Sequence, residues 1–334
     1  MPEEDAGSGN RKGSVSIVIP CLNEQENLSR CLVSIGGLNY DGGAIEVIVV
    51  DNGSIDRSRE IAEAWGAKVL RKTGGTIGAL RNHGARVARG EVLAFVDADC
   101  EVGRDWAASF MRYFETNGNG IGVVGSPPGL PAGSNLIQKA WFSHRQADLI
   151  GEVDYVGSAN MILRRSLFDE VGGFSEVLPS GEDFELCSRI RQRGYKVVSD
   201  HRVTSYHYGY PQTLGEFARR EIWHGRGMVA DFKDPGASRP LLLSALYLFL
   251  NAALLCCLGI GLLRWTPGPF YAVGGILALE GLPVALLALK KSLRNGTLRY
   301  LPVLTILYYL YGVSRSCSLV LIGYDRLRKR GASA

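Results

Sequence analysis

Through the first hundred positions, short apolar runs alternate with stretches of helical period. Val15-Ser16-Ile17-Val18-Ile19-Pro20 reads as a buried strand stopped by its proline. From about Glu24 a helix follows, with Leu28, Cys31, Leu32 and Ile35 on one face. Ile45-Glu46-Val47-Ile48-Val49-Val50 is a second strand ending in Asp51-Asn52-Gly53-Ser54, and Asp56 opens a second helix through Ile61, Ala62 and Trp65. Lys68-Val69-Leu70-Arg71 is a short third strand, and Gly74-Gly75 leads into a helix with Ile77, Leu80, Gly84 and Val87 on one side. Val92-Leu93-Ala94-Phe95-Val96 then runs straight into Asp97-Ala98-Asp99. This alternation has the spacing of βαβ units and predicts a largely parallel sheet, whose ligands bind beyond the carboxyl ends of the strands. Those ends are polar, as a site would be.

Beyond Trp106 the pattern loosens. Residues 118–134, rich in Gly and Pro, read as loops, and 153–163 as one further strand. Gly172-Gly173-Phe174 reads as a turn. Ser180-Gly181-Glu182-Asp183 precedes a helix with Phe184, Leu186, Cys187 and Ile190 apolar, and 195–198 and 203–206 are short strand candidates.

Three apolar stretches follow. Residues 240–263 carry no charge and are long enough for a hydrocarbon core of about 30 Å. Residues 270–289 carry one charge, Glu280, and 300–322 include Pro302, Arg315 and several serines. The expected organisation is a flexible tail (1–13), an α/β domain (14–235), two transmembrane helices (240–263 and 270–289), a third helix at 300–322 that is interfacial, re-entrant or transmembrane, and a basic cytoplasmic tail (323–334). Lys290, Lys291, Arg294 and Arg299 follow the second stretch, and Arg326, Arg328, Lys329 and Arg330 follow the third. Two crossings put both basic groups in the cytoplasm with the front domain, so two spans are preferred over three. Intramembrane charges seek partners, which makes Glu280 and Arg315 an expected pair.

Composition changes this picture little. The 334 residues are 46% hydrophobic and 21% charged with a net charge of +4, and the mean hydropathy of +0.04 averages a polar front over an apolar end. Basic residues form no long run before the last few positions, so nucleic acid is not an expected partner. The seven cysteines are scattered without a C-x-x-C pair, which argues against a disulfide framework or a zinc site. Residues 1–13 contain no apolar core of a signal peptide.

The chemistry concentrates at Asp97 and Asp99. Two carboxylates one residue apart at the rim of a core repel each other, and a divalent cation with hard oxygen ligands relieves that repulsion. Taken in order, Val18-Ile19-Pro20-Cys21-Leu22-Asn23-Glu24, Val50-Asp51-Asn52-Gly53-Ser54-Ile55-Asp56, Gly78-Ala79-Leu80-Arg81-Asn82-His83-Gly84, Asp97-Ala98-Asp99 and Gly181-Glu182-Asp183 resemble the motifs of family 2 glycosyltransferases over about residues 14–230. The resemblance implies a GT-A fold, a Rossmann-like mostly parallel sheet, followed here by an all-α membrane region. It also implies inverting, metal-dependent transfer of a sugar from a nucleotide diphosphate donor.

On that resemblance Pro20, Asn23, Glu24, Asp51, Gly53, Arg81, Asp97 and Ala98 line the donor. Asp51 accepts from a base N–H; its other reading is an Asx turn with Asn52-Gly53. Arg81 reaches the diphosphate. Asp97 and Asp99 position Mg²⁺ or Mn²⁺, Asp99 most directly, with His207 as a further ligand. Asp183 is the general base, although an aspartate before an apolar-periodic run is also a good N-cap. Where the family often carries Asp, this chain has Asn52, which leaves the base of the nucleotide open.

The segment 219–227 lies over the donor or acceptor site or forms a basic interfacial helix. The Q/R-x-x-R-W pattern of processive synthases is missing, which points to a single transfer. The anchor points to a lipid-linked or surface-glycan acceptor at the inner (plasma) membrane. A nicotinamide dehydrogenase would need G-x-G-x-x-G after the first strand, where Pro20-Cys21-Leu22-Asn23-Glu24 stands. A non-catalytic membrane scaffold with a degenerate GT-A domain is the other rival, and the joint presence of Asp97, Asp99 and Asp183 speaks against it.

Overall fold

The computed structural model describes residues 13–116, 120–143, 150–225, 235–264 and 267–331. The expected tail over 1–13 therefore lies outside the described residues except for Gly13, and so do Arg226 and Gly227 of the basic segment. The chain divides into two compact units. The first comprises 1–132 and 147–209, the second 133–146 and 210–334. The division differs from the expected boundary at 235, and the helical residues 136–142 and 214–225 pack with the C-terminal helices.

The first unit holds an eight-stranded sheet. Strands β1 (Val15–Cys21), β2 (Ile45–Asp51), β3 (Lys68–Arg71) and β4 (Val92–Val96) stand in the order β3-β2-β1-β4 and are all parallel. Their side chains alternate between two buried faces. Ile17, Ile19, Val47, Val49, Ala94 and Val96 pack against α1 (Gln25–Gly36) and α4 (Trp106–Thr116). Val18, Ile48, Val50, Leu93 and Phe95 pack on the other side. Burial on both faces is why these strands read as continuous apolar runs. Helices α2 (Ser58–Trp65) and α3 (Ile77–Val87) complete the crossovers. Helix α2 begins two residues after Asp56, whose carboxylate accepts from the Ser58 N–H at 3.0 Å.

The other half of the sheet is mixed. Strand β8 (Asn160–Arg164) runs antiparallel to β4, and β6 (Ile121–Gly125), β9 (Lys196–Asp200) and β7 (Ile150–Glu152) follow outward. Two expectations are corrected here. Residues 118–134 are not all loop, since β6 lies among them, and the strand expected over 153–163 begins only at Asn160. Helices α6 (Arg165–Val171) and α7 (Glu182–Gln192) pack on the Phe95 face. The candidate at 203–206 does not join the main sheet. As β10 (Ser205–His207) it pairs antiparallel with β5 (Cys100–Val102), a strand that starts immediately after the acid pair. Pro20 does not end β1, which continues through Cys21.

The second unit is helical: α5 (Leu136–Phe142), α8 (Leu214–Gly225), α9 (Pro235–Arg264), α10 (Pro267–Arg294) and, after a short 3-10 turn at Leu298–Tyr300, α11 (Leu301–Gly331). The tail expected from 323 continues as helix to Gly331. Three stretches, Leu242–Arg264, Pro267–Arg294 and Leu298–Tyr324, are long and apolar enough to cross a membrane. Leu242, Phe249, Leu255 and Leu263 expose their side chains, as lipid-facing residues do. The unit is a multi-pass membrane anchor.

The expected pairing of Glu280 with Arg315 is corrected. Buried Glu280 accepts from Asn251 Nδ2 and from the Tyr309 hydroxyl, both at 2.9 Å. Arg315 instead pairs with Glu221 of α8 at 2.9 Å. Each charge found a nearer polar partner on a neighbouring helix.

Candidate active site

The carboxyl ends of β1, β2 and β4 open on one edge, because the three strands run parallel. The turns after β1 and β2 are stapled together there. Asn23, at φ +55°, accepts at Oδ1 from the Ile55 N–H at 2.9 Å, and its own N–H donates to Ser54 Oγ at 3.0 Å. The Glu24 N–H donates to Ser58 Oγ at 2.9 Å. Burial pushes the Glu24 carboxyl up, with the charges of Asp99 and Asp56 adding to it against a hydrogen bond from Asn27.

Buried Asp51 accepts from the Gly53 and Ser54 N–H groups at 3.2 and 3.0 Å. Both of its oxygens thus serve the Asx turn, and a base N–H would share an oxygen that is already bonded. Gly53, at φ +91°, meets the need of that turn for a left-handed residue. Pro20 and Ala98 are buried behind this edge.

The acid pair divides its work. Asp97 Oδ1 accepts from Arg81 Nη2 at 2.6 Å. Asp99 turns toward β10, where the register His207↔Cys100 brings the imidazole alongside: His207 Nε2 is 3.4 Å from Asp99 Oδ1. Ligand atoms of Asp99, Cys100 and His207 lie within 4.8 Å of one another, a spacing one cation could bridge. An aspartate oxygen and an imidazole nitrogen suit Mn²⁺ or Mg²⁺. Burial, then the charges of Asp97 and Asp99, keep the Cys100 thiol well above its ordinary value, so it is the weakest donor of the three. The chain closes tightly over this group. The Tyr208 N–H donates to the Asp99 carbonyl at 2.8 Å, and a Cβ on Gly209 would stand 1.9 Å from Asp99 Oδ2.

Arg81 does not face solvent. It is buried on α3, and its second arm, Nη1, donates to Glu182 Oε1 at 2.8 Å. Burial works against its charge, and the Asp97 and Glu182 carboxylates overcome that. In this arrangement the guanidinium reaches acids rather than a diphosphate. Glu182 also accepts from Ser158 Oγ at 3.1 Å, while the Ser158 N–H reaches Asp183 Oδ2 at 3.3 Å. A chain of contacts therefore runs Asp97–Arg81–Glu182–Ser158–Asp183.

Asp183 is not the N-cap of α7. Gly181 occupies that position at φ +83°, and Asp183 accepts from the Phe184 N–H at 2.8 Å. Burial, then the adjacent Glu182 charge, push its carboxyl up to about 6. A carboxyl poised there is ionised at neutral pH yet basic enough to take a proton.

The sequence reading named the acids and His207 but gave no role to Glu182, Ser158 or Gly209. Glu182 stood inside a quoted motif and could have been found by asking what neutralises an arginine facing the core. Ser158 and Gly209 carried no local signal.

Comparison with known proteins points to one family. The profile "Glycosyl transferase family 2" matches residues 16–172, and "Glycosyl transferase family group 2" matches 133–324. The glycosyltransferase AglE of Haloferax volcanii is 28% identical over 226 residues, 64% of this chain and 73% of that protein. The pre-mycofactocin glycosyltransferase of Mycobacterium tuberculosis is 28% identical over 276 residues, 79% of this chain; the match spans only 56% of that relative's length. Among solved structures, the mannosyltransferase PcManGT of Pyrobaculum calidifontis, in complex with GDP-Man and Mn²⁺, superposes with a TM-score of 0.56 at 19% identity. That match covers 93% of this chain and 87% of that one.

Proposed function

The chain belongs to the family 2 glycosyltransferases, and from that premise we propose an inverting transfer of one sugar from a nucleotide diphosphate donor to a lipid-linked or surface-glycan acceptor at the cytoplasmic face of a membrane. One observation carries the reading: a single buried arginine holds Asp97, next to the candidate cation site at Asp99 and His207, and Glu182, next to the raised carboxyl of Asp183.

Inversion needs a carboxylate beside the acceptor hydroxyl, opposite the leaving group, and Asp183 holds that role by taking the hydroxyl proton. Ser158 and the first turn of α7 fix its orientation. Asn23, Glu24, Asp51 and Gly53 form the rim along which the nucleoside lies. A divalent cation held by Asp99 and His207, with Asp97 beside them, supplies positive charge to the departing diphosphate when bound. Lys290, Lys291 and Arg294 at the end of α10 put the front unit in the cytoplasm.

The test is a panel of labelled UDP-, GDP- and dTDP-sugars incubated with membranes containing the protein, followed by lipid extraction. Label in the lipid phase, lost with Asp99→Ala and with Asp183→Ala, is the expected result. Transfer that survives both substitutions would remove the site assignment, and label that stays wholly in water would remove the lipid acceptor.

A further inference from the structure

Helix α11 is the least apolar of the three long helices, and its middle is covered by polar neighbours. Arg315 donates to Glu221 Oε2 of α8 through Nε at 3.2 Å and Nη2 at 2.9 Å, with the carboxylate buried and the guanidinium half-buried. Ser318 Oγ donates to the Ile222 carbonyl at 2.9 Å. One turn and more earlier, Leu307 packs with Ala140 of α5 and Phe217 of α8. The covered segment thus runs from Leu307 to Ser318, the centre of the Leu298–Tyr324 stretch.

Were α11 a span, that centre would sit at mid-bilayer and α8 would sit there with it. Helix α8 carries Glu216, Arg219, Arg220, Glu221 and His224 within twelve residues. A charged side chain at the bilayer centre costs about 2.5–3.5 kcal/mol on insertion scales. Arg315 neutralises Glu221; Glu216 and Arg219 are exposed on the opposite face, with Trp223 beside them at 47% exposure. Outward Arg and Trp on an amphipathic helix suit the head-group layer rather than hydrocarbon.

We infer that α11 does not cross the bilayer. It lies in the head-group layer with α5 and α8 stacked on it, only α9 and α10 cross, and the outward face of α8 meets anionic lipid. The Tyr309 hydroxyl ties α11 to Glu280 of the crossing pair. Charge supports the same arrangement independently. Only Arg264 is basic at the far end of α9, whereas Lys290, Lys291 and Arg294 end α10, Arg299 follows it, and Arg326, Arg328, Lys329 and Arg330 close α11. Two crossings put both basic groups on one side, and three would separate them.

Reporter fusions to the full chain in a bacterial inner membrane decide this. Alkaline phosphatase is active only outside the cytoplasm and GFP fluoresces only within it, so every fusion that accumulates gives a positive signal with one reporter. Reporters go after residue 334 and, in separate fusions, between 265 and 266. Opposite sides for the two positions are expected. The same side for both, or a divided signal at 334, overturns the inference. The readout does not depend on sugar transfer and stands whether or not the proposed reaction is right.

Discussion

Arg81 and Glu182 lie 101 residues apart in the chain and 2.8 Å apart in space, and the same guanidinium holds Asp97 at 2.6 Å. A buried arginine between two acids fixes the spacing between the strand end bearing the acid pair and the helix bearing the raised carboxyl. Removing it strands two carboxylates at the core, and breaking a buried pair of this kind costs about 3–5 kcal/mol. Arg81→Ala is therefore expected to lower the unfolding midpoint strongly and to abolish transfer. Arg81→Lys keeps the charge but cannot fork between two acids, so partial stability with at least about tenfold lower kcat is expected. Thermal unfolding in detergent alongside donor kinetics checks this. A rise in donor KM with no loss of stability would return Arg81 to the diphosphate.

Asp183 makes a prediction about pH. Its carboxyl, pushed up to about 6 by burial and by Glu182, is the form that accepts the proton only once ionised. The rate should rise with pH through about 6 and level off above it, and Asp183→Asn should cut kcat about 10²–10⁴-fold. Stability runs the other way. The folded value lies above the unfolded value of about 3.9, so the cost of holding the ion is absent below that and complete above about 6. Asp183→Asn should thus unfold at a slightly higher temperature than the parent at pH 7.5, by an effect of order 1 kcal/mol, and show no gain at pH 3.5. An unchanged acidic limb in a variant that retains activity would move the base elsewhere.

Gly209 tests the cation site without touching a charge. A Cβ there would stand 1.9 Å from Asp99 Oδ2 and 2.8 Å from His207 Cε1. Gly209→Ala must push one of them aside, and disturbing a group that orients a ligand typically costs 10–100-fold in affinity or activity. The expected outcome is a cation requirement raised about tenfold or more, matched by His207→Ala and exceeded by Asp99→Ala. Titrating Mn²⁺ and Mg²⁺ into chelator-treated protein, and reading transfer against free cation, measures it. A Gly209→Ala protein with the parental cation curve would separate the closure at Gly209 from metal binding.

What the sequence revealed and what it hid follow from the range of the forces involved. The parallel half of the sheet was legible because Ile17, Val18, Ile48, Val49 and Phe95 are buried from both sides, which writes itself as unbroken apolar runs. The glycines of β6 give it the composition of a loop. One of them, Gly125, is needed because a Cβ there would come within 2.1 Å of the Asn160 carbonyl, so close strand approach mimics loop composition. The acids at 97, 99 and 183 stand out in the sequence, with Asp99 expected most directly on the cation, yet what divides the two acids does not. That division depends on Arg81, on the β5–β10 register and on Glu182, all contacts between distant segments. Glu280 and Arg315 show in the sequence as charges in need of partners, but helix packing decides which polar group is nearest, and it gives them Asn251 and Glu221 rather than each other.

Helix α3 must lie close to the sheet for Arg81 to reach both acids, and Gly84, three residues on, sets that distance. A Cβ at Gly84 would sit 2.5 Å from Val18 Cγ1 and 3.0 Å from Val50 Cγ2, both in strands that cannot yield independently. Alanine adds up to about 1 kcal/mol of helix propensity, but overpacking of this kind costs about 1–3 kcal/mol. The net expectation is a Gly84→Ala protein that is less stable than the parent and also less active, because lifting α3 lengthens the Arg81 contacts. Arg86→Ala on the exposed side of the same helix is the control. It removes an open ion pair with Glu176 worth at most about 1 kcal/mol and should leave kcat unchanged. Chemical unfolding of both variants next to their kcat values discriminates. A Gly84→Ala protein at least as stable as the parent would mean that α3 does not rest on Val18 and Val50 as closely as Arg81 requires.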